Sequence, residues 1–137
     1  MDDLKQAFRI SNAGMKAQAQ RLRVVSENLA NADSLPTGPN DTPYRRKIVT
    51  FKNELDRKMG VTTLKVDKVL EDKADFVPKL DPGHPAADED GFVLAPNVNP
   101  IIEMMDMQEA QRSYEANLTV LDNTRNMLRQ TIGILAN

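Results

Sequence analysis

Few residues in this chain have the type and spacing that chemistry requires. His84 stands alone among the 137 residues, in the run Asp81-Pro82-Gly83-His84-Pro85. One imidazole cannot build a multi-histidine metal site, and its Pro and Gly neighbours predict a turn. Asp88-Glu89-Asp90-Gly91 has the composition of a calcium loop. Aligning Asp88, Asp90 and Gly91 to loop positions three, five and six puts Ala86 first and Asn97 last, and both ligand positions fail. A solvated turn ahead of a strand is the better fit. Arg45-Arg46-Lys47 is the one basic cluster, and strand alternation would divide it between two faces. It reads either as a solvated strand edge or as a contact with acidic surface on a neighbouring subunit. There is no cysteine, so disulfides, thiolate metal sites and thiol nucleophiles are excluded together. No nucleophile with a base, no Gly-rich phosphate loop and no paired catalytic carboxylates emerge. The expectation is a protein that is not an enzyme, with no catalytic residues, no cofactor, no metal and no small-molecule substrate. Met104, Met105 and Met107 fit adaptable packing better than a cofactor box.

The elements that would carry such residues are bounded by composition. With 18 basic and 20 acidic residues the net charge is −2, which leaves no basic excess to neutralise phosphates and argues against nucleic acid. No apolar run approaches the length of a spanning helix, so direct membrane insertion is not expected. Met1-Asp2-Asp3-Leu4 lacks the basic and apolar regions of a Sec-type signal, and export, if it occurs, is expected without a cleaved signal peptide. All eight prolines lie between Pro36 and Pro100. Helix breakers are therefore confined to the middle, and three parts follow: an N-terminal helix in 1–33, a central loop and β-rich region in 34–98, and a C-terminal helix in 99–137. The predicted fold is mainly α with a small β-rich centre, the long terminal helices pairing as a coiled coil.

Asp2 or Asp3 can cap the first helix, and Asp3 with Gln6 has capping-box spacing. Phe8, Met15, Leu22 and Leu29 fall seven apart, and Leu4, Ser11, Gln18 and Val25 interleave with them in the rhythm of a helical seam. Ser11 and Gln18 are either register-setting polar contacts or exposed. Gly14 costs roughly 1 kcal/mol against Ala inside a helix; close approach of another helix would explain it, and so would tolerated drift. In the last segment Asn99 is a natural N-cap and Pro100 a first-turn residue. Met107, Tyr114, Leu121, Leu128 and Leu135 fall seven apart, with Met104, Gln111, Leu118, Arg125 and Ile132 completing the rhythm. Such a helix would run roughly 55 Å at 1.5 Å per residue. In the centre, Tyr44–Phe51 and Thr62–Val69 read as strands, and Phe76-Val77 with Gly91–Leu94 as a second pair joined by a long loop.

Each helix carries apolar residues on more than one side. Ile10, Ala17 and Val24 lie about 130° around from the first seam, and Val120, Met127 and Ile134 repeat the pattern in the second helix. From Ala110 to Asn137 only five of 28 residues are charged, whereas a solvated helix favours paired Lys and Glu. These features imply more than one neighbour, with terminal helices that order fully only against other subunits.

Ala13-Gly14-Met15-Lys16-Ala17-Gln18-Ala19-Gln20-Arg21-Leu22, followed by Ser26-Glu27-Asn28-Leu29-Ala30-Asn31-Ala32-Asp33-Ser34, resembles the N-terminal signature of the bacterial flagellar rod and hook proteins. Gly38-Pro39 and Pro43-Tyr44-Arg45-Arg46-Lys47 fit the same group. Asp88-Glu89-Asp90-Gly91-Phe92-Val93, Pro96-Asn97-Val98-Asn99-Pro100, Glu103-Met104-Met105-Asp106 and Arg112-Ser113-Tyr114-Glu115-Ala116-Asn117 resemble its short proximal-rod members. One departure is the insertion of Ser34–Thr42 before Pro43-Tyr44, where the superfamily often runs directly into Pro-Gly-Tyr. The resemblance implies a structural subunit of the flagellar basal body, exported by the flagellar type III apparatus. It would stack helically into the rod that crosses the periplasm. Its partners would be other rod proteins, copies of itself and the export apparatus. Its terminal helices would pair and surround the export channel, transmitting torque, while the centre faces outward. The inner-helix positions would be carried by Phe8, Met15, Leu22, Val25 and Leu29, and by Met107, Tyr114, Leu118, Leu121 and Leu128. Asn31, closing the first helix, and Ile132 complete this candidate subunit interface. The rival readings are a soluble helical-hairpin adaptor binding a single partner helix, and a small hydrolase using Asp88 or Asp90.

Overall fold

The computed structural model describes all 137 residues. In chain order the elements are α1 (Asp2–Ala30), β1 (Lys47–Asp56), β2 (Val61–Glu71), β3 (Val77–Leu80), β4 (Phe92–Ala95) and α2 (Pro100–Leu135). Along the chain, two long helices thus flank two two-stranded sheets, ordered β1-β2 and β3-β4, as the proline distribution predicts. No helix is long and apolar enough to cross a membrane.

The helix ends show how sequence sets the boundaries. Asn99 accepts a hydrogen bond from the Ile101 amide at 3.1 Å, and its carbonyl accepts the Glu103 amide at 3.1 Å. That is the N-cap geometry expected ahead of Pro100. At the other helix the capping-box expectation fails: Gln6 turns its amide away from the helix start and donates to the Met59 carbonyl at 3.3 Å. Tertiary contact competes with the local box and wins. Asn31 closes α1 by donating from Nδ2 to the Glu27 carbonyl at 2.9 Å, which satisfies one of the terminal acceptors.

β1 and β2 form a hairpin turned at Arg57–Gly60. Thr50 meets Lys68 at 3.2 Å and Thr63 meets Glu54 at 3.3 Å along it. β3 and β4 are antiparallel, with Val77 opposite Ala95 and Leu80 opposite Phe92. Gly91, just before β4, has φ +83°, and a Cβ there would meet Pro82 Cγ at 3.0 Å. Only glycine suits that left-handed, crowded position.

The chain divides into two compact units: Met1–Leu22 with Thr50–Lys68 and Gln108–Asn137, and Arg23–Val49 with Val69–Met107. The first buries Ser11, Ala17, Gln18, Val61, Ala110 and Thr124; the second buries Val24, Val25, Asn28, Val93, Val98 and Glu103. Both interiors therefore mix small apolar and polar groups, and no large aromatic side chain is buried in either.

Candidate subunit interface

The inward face of α1 is set by Ser11, Gln18 and Val25, all buried, with Gly14 and Asn28 beside them. Ser11 and Gln18 are thus interior residues, which resolves the two readings the sequence leaves open. Met15, Leu22 and Leu29 flank this row and are half-buried, whereas Phe8 is exposed near the N-terminus. Asn31 is half-buried just past the helix. Ala17 and Val24 belong to the stripe expected to need a second molecule, yet both are buried within this chain. For Ala17 the cover is local: it lines a groove shared with hairpin residues Leu55, Leu64 and Val66.

α2 is organised one residue away from the predicted rhythm. Its inward row is Glu103, Ala110, Asn117, Thr124 and Thr131, seven apart, with Glu103, Ala110 and Thr124 buried. Met107, Tyr114, Leu121 and Leu128 lie about 50° to one side and are half-buried. Met104, Leu118 and Ile132, predicted to complete the seam, are exposed, as are Gln111 and Arg125 between them. The physical reason is close approach. A Cβ on Gly14 would lie 2.9 Å from Asn117 Nδ2, so α1 comes near enough that only small or short side chains fit the facing row of α2. Leu118 and Ile132 are displaced outward.

Within the first unit, two ion pairs reinforce the packing. Arg21 reaches Glu109 at 3.5 Å, and Arg9 reaches Asp56 at 2.7 Å. The Asp56 carboxyl is held below the usual range. Burial opposes this, but the backbone amides of Met59 and Lys58 and the Arg9 guanidinium outweigh it.

α2 also keeps a second exposed apolar row, Val120, Met127 and Ile134, the last 77% exposed. It lies about 50° from the inward row on the side opposite Leu121. Along α2, Thr119 on the exposed side and Thr124 and Thr131 on the inward row each return the hydroxyl to the carbonyl four residues back, at 3.0, 2.8 and 2.9 Å. Their polar atoms are satisfied inside the helix and their methyl groups are left to pack.

The second unit holds a buried polar cluster that sequence reasoning misses. Asn28, 1% exposed, donates from Nδ2 to the Lys47 carbonyl at 2.8 Å and to Glu103 Oε2 at 3.2 Å. Its Oδ1 accepts the Tyr44 hydroxyl at 2.8 Å and the Lys47 amide at 2.9 Å. Glu103, fully buried, accepts Arg46 Nε on its other oxygen. Arg46 Nη1 continues to Asp72 Oδ2 at 3.3 Å. Asn97 accepts the Arg46 amide at 2.7 Å and donates to the Asp72 and Ala74 carbonyls at 3.0 Å. The available signal was Glu103 itself. It is the one charged residue on the row that Ala110, Asn117, Thr124 and Thr131 continue, and a carboxylate on an inward face needs a buried partner.

All three residues of the basic cluster have partners within the chain, and all three are half-buried rather than fully solvated. Arg46 pairs with Glu103 and Asp72, and Lys47 Nζ with Glu27 at 2.5 Å. Arg45 donates to the Asp72 and Ala74 carbonyls and sits 4.2 Å over the Phe76 ring. Burial works against the charge on Arg46, but hydrogen bonding to Glu103 outweighs it and raises its pKa. Asp72 is lowered, first by the Ala74 amide and then, against burial, by Arg46. Burial, aided by the Glu27 charge, raises the Tyr44 phenol.

The remaining sequence candidates hold turns. His84 Nδ1 accepts the Ala86 amide at 3.0 Å. Asp88 Oδ1 accepts the amides of Asp90 and Phe92 at 3.0 and 2.8 Å. No group of three or more His, Cys, Asp or Glu residues could hold a metal ion.

Residues 8–34 match the family described as flagella basal body rod protein, and residues 89–134 match the family described as flagellar basal body rod FlgEFG protein C-terminal. The chain is 53% identical to the flagellar basal-body rod protein FlgC of Agrobacterium fabrum over 98% of its own length and 97% of the relative's. It is 40% identical to the FlgC of Salmonella typhimurium, covering 91% and 92% of the two chains. With the FlgC of Bacillus subtilis the identity is 36%, over 93% and 95%.

Proposed function

The chain belongs to the FlgC family of flagellar basal-body rod proteins, and from that premise we propose that it is a structural subunit of the proximal rod that works by helical assembly. The observation that carries this reading is the exposed apolar row Val120, Met127 and Ile134 on one flank of α2, with exposed Met104, Leu118 and Ile132, interspersed with Gln111 and Arg125, on the other. Exposed apolar rows of this extent mark surfaces that other proteins cover. A single partner helix would occupy one flank. Two flanks suit a subunit packed among neighbours on several sides, with copies of itself and other rod components.

In this reading the terminal segments 1–33 and 99–137 pair as a coiled coil and form the wall around the export channel, and the segment 34–98 faces outward. Phe8, Leu118 and Ile132 supply exposed apolar contact. Met15, Leu22, Leu29, Asn31, Met107, Tyr114, Leu121 and Leu128 offer their half-exposed edges, and Val25 supports them from within. Torque passes through side chains in close contact, because packed interiors are stiff and transmit strain. The chain reaches the rod through the flagellar export apparatus, and it performs no catalysis.

The test places a charge on each row in turn. Val120→Asp with Met127→Asp, and separately Leu22→Asp or Leu121→Asp, should abolish swimming and remove the chain from purified basal bodies while it is still exported. The exposed pair leaves the chain's own interior intact, so its loss of function reports assembly alone. Normal swimming with normal incorporation in the Val120/Met127 variant would refute the reading.

A further inference from the structure

Two surfaces outside the α2 rows are opposite in charge and share an apolar centre. The first is the groove of ≈ 690 Å³ in the first unit, between α1 and the β1–β2 hairpin. Its floor is apolar, with Ala13, Ala17, Leu55, Leu64 and Val66. Its rim holds five cations, Arg9, Lys16, Arg57, Lys58 and Lys65, against the two carboxylates Glu54 and Asp56. Arg9 and Lys65 are already paired, with Asp56 and Glu54. Lys16, Arg57 and Lys58 are exposed and take part in no ion pair. A groove with three unmatched positive charges in a chain of net charge −2 favours an acidic, apolar occupant.

The second surface lies in the second unit. The register of β3 and β4 puts Leu80 opposite Phe92 and Pro78 opposite Leu94. Strand alternation then sends these four to one face, away from the fully buried Val93. All four are exposed. At the end of this face stands the turn Asp88-Glu89-Asp90, also exposed, and Asp81 beside it. None of these carboxylates is in an ion pair, and Lys79 projects on the opposite face with Val93. An apolar patch ending in four carboxylates outside any ion pair is the counterpart in charge of an apolar groove ringed by three such bases.

We propose that the outer face of the β3–β4 sheet of one copy docks in the α1–hairpin groove of a second copy. This deepens the rod reading and rests on it. Phe92 and Leu94 enter the apolar floor, while Glu89 and Asp90 meet Lys16, Arg57 and Lys58. Because groove and patch are different surfaces of the same chain, the contact is heterologous. Each pair leaves one groove and one patch unoccupied, so the contact propagates from subunit to subunit.

The absence of native cysteine permits a direct test in the full chain in cells. A strain carrying both Lys58→Cys and Glu89→Cys, treated with a short bismaleimide, should yield a ladder of dimers and higher multimers from isolated basal bodies. Each single cysteine should yield none. Charge reversal gives the second arm: Arg57→Glu with Lys58→Glu should shrink the swimming halo, as should Glu89→Lys with Asp90→Lys, and the combined variant should recover it. Chain present in basal bodies with no ladder, or with cross-links only to a different protein, would overturn the docking while leaving the rod reading in place. So would a combined variant worse than either reversal. Absence of the unaltered chain from basal bodies would remove both.

Discussion

Asn28 and Glu103, 75 positions apart in the sequence, share a buried hydrogen bond of 3.2 Å. Neither side chain has meaningful solvent contact, and through Lys47, Tyr44 and Arg46 the two join the end of α1, the entry to β1 and the first turn of α2. This cluster gives the second unit a fixed register that small apolar residues alone would leave loose.

Removing Asn28 should be costly for its size. Asn28→Ala strips partners from the half-buried Lys47 backbone and from the buried Glu103 at once, and an unsatisfied buried polar group costs about 1–3 kcal/mol. Asn28→Asp should be at least as harmful, because it brings a second carboxylate against Glu103. Equilibrium urea denaturation of the purified chain measures both; a loss below about 0.5 kcal/mol in Asn28→Ala would show that the cluster is not holding the unit.

The Arg46–Glu103 pair should break asymmetrically. Arg46→Ala leaves a fully buried carboxylate with Asn28 as its remaining donor. Glu103→Ala leaves a cation that is one-quarter exposed and still near Asp72. Breaking a buried pair costs about 3–5 kcal/mol, and Arg46→Ala should sit at the upper end. The double substitution Arg46→Met with Glu103→Met should cost less than Arg46→Ala alone. A larger loss in Glu103→Ala than in Arg46→Ala would reverse the assignment of which charge depends on the other.

Gly14 and Asn117 should be coupled. Alanine at 14 gains about 1 kcal/mol of helix propensity but must push the Asn117 amide, which is tied to the Ser113 carbonyl at 2.9 Å. Overpacking of this kind costs about 1–3 kcal/mol, so Gly14→Ala should be neutral to destabilising by about 2 kcal/mol. With Asn117→Ala already in place the same change should stabilise. A double-mutant cycle reads the difference, and additive effects would mean that the helices do not approach closely there.

Acid should weaken the fold through Asp72 and Asp56. Both have carboxyl pKa values lower in the folded chain than the ordinary value of 3.8. Their contribution is therefore fully present above that value and is lost as pH falls through the lower folded values. Denaturation midpoints should drop below about pH 4, and Asp72→Asn or Asp56→Asn should flatten that drop. An unchanged acid limb in both variants would contradict the assigned ion pairs.

The helices and their limits were legible in the sequence because prolines are confined to 36–100 and because Asn99-Pro100 is a start signal that acts locally. The β3–β4 pair was legible at Phe76-Val77 and Gly91–Leu94 around turn residues, whereas the pairing of β1 with β2 was not, and β1 runs Lys47–Asp56 where Tyr44–Phe51 was expected. The inward row of α2 was not legible, since apolar periodicity points to Leu118 and Ile132, while the row selected by close approach to Gly14 is small and polar. Pattern reading ranks side chains by hydrophobicity; here steric room decides. The Asn28–Arg46–Glu103 cluster was hidden for a related reason. Its members come from three distant segments, and only contact reveals that the basic triplet near 46 answers the lone carboxylate at 103.

The most direct measurement is an electron cryo-microscopy map of the intact basal body from cells swimming with this chain. The expected result is repeated copies in the rod wall, with Val120, Met127 and Ile134 covered by neighbouring subunits. A rod built without this chain, or one in which those three side chains face open solvent, would contradict it.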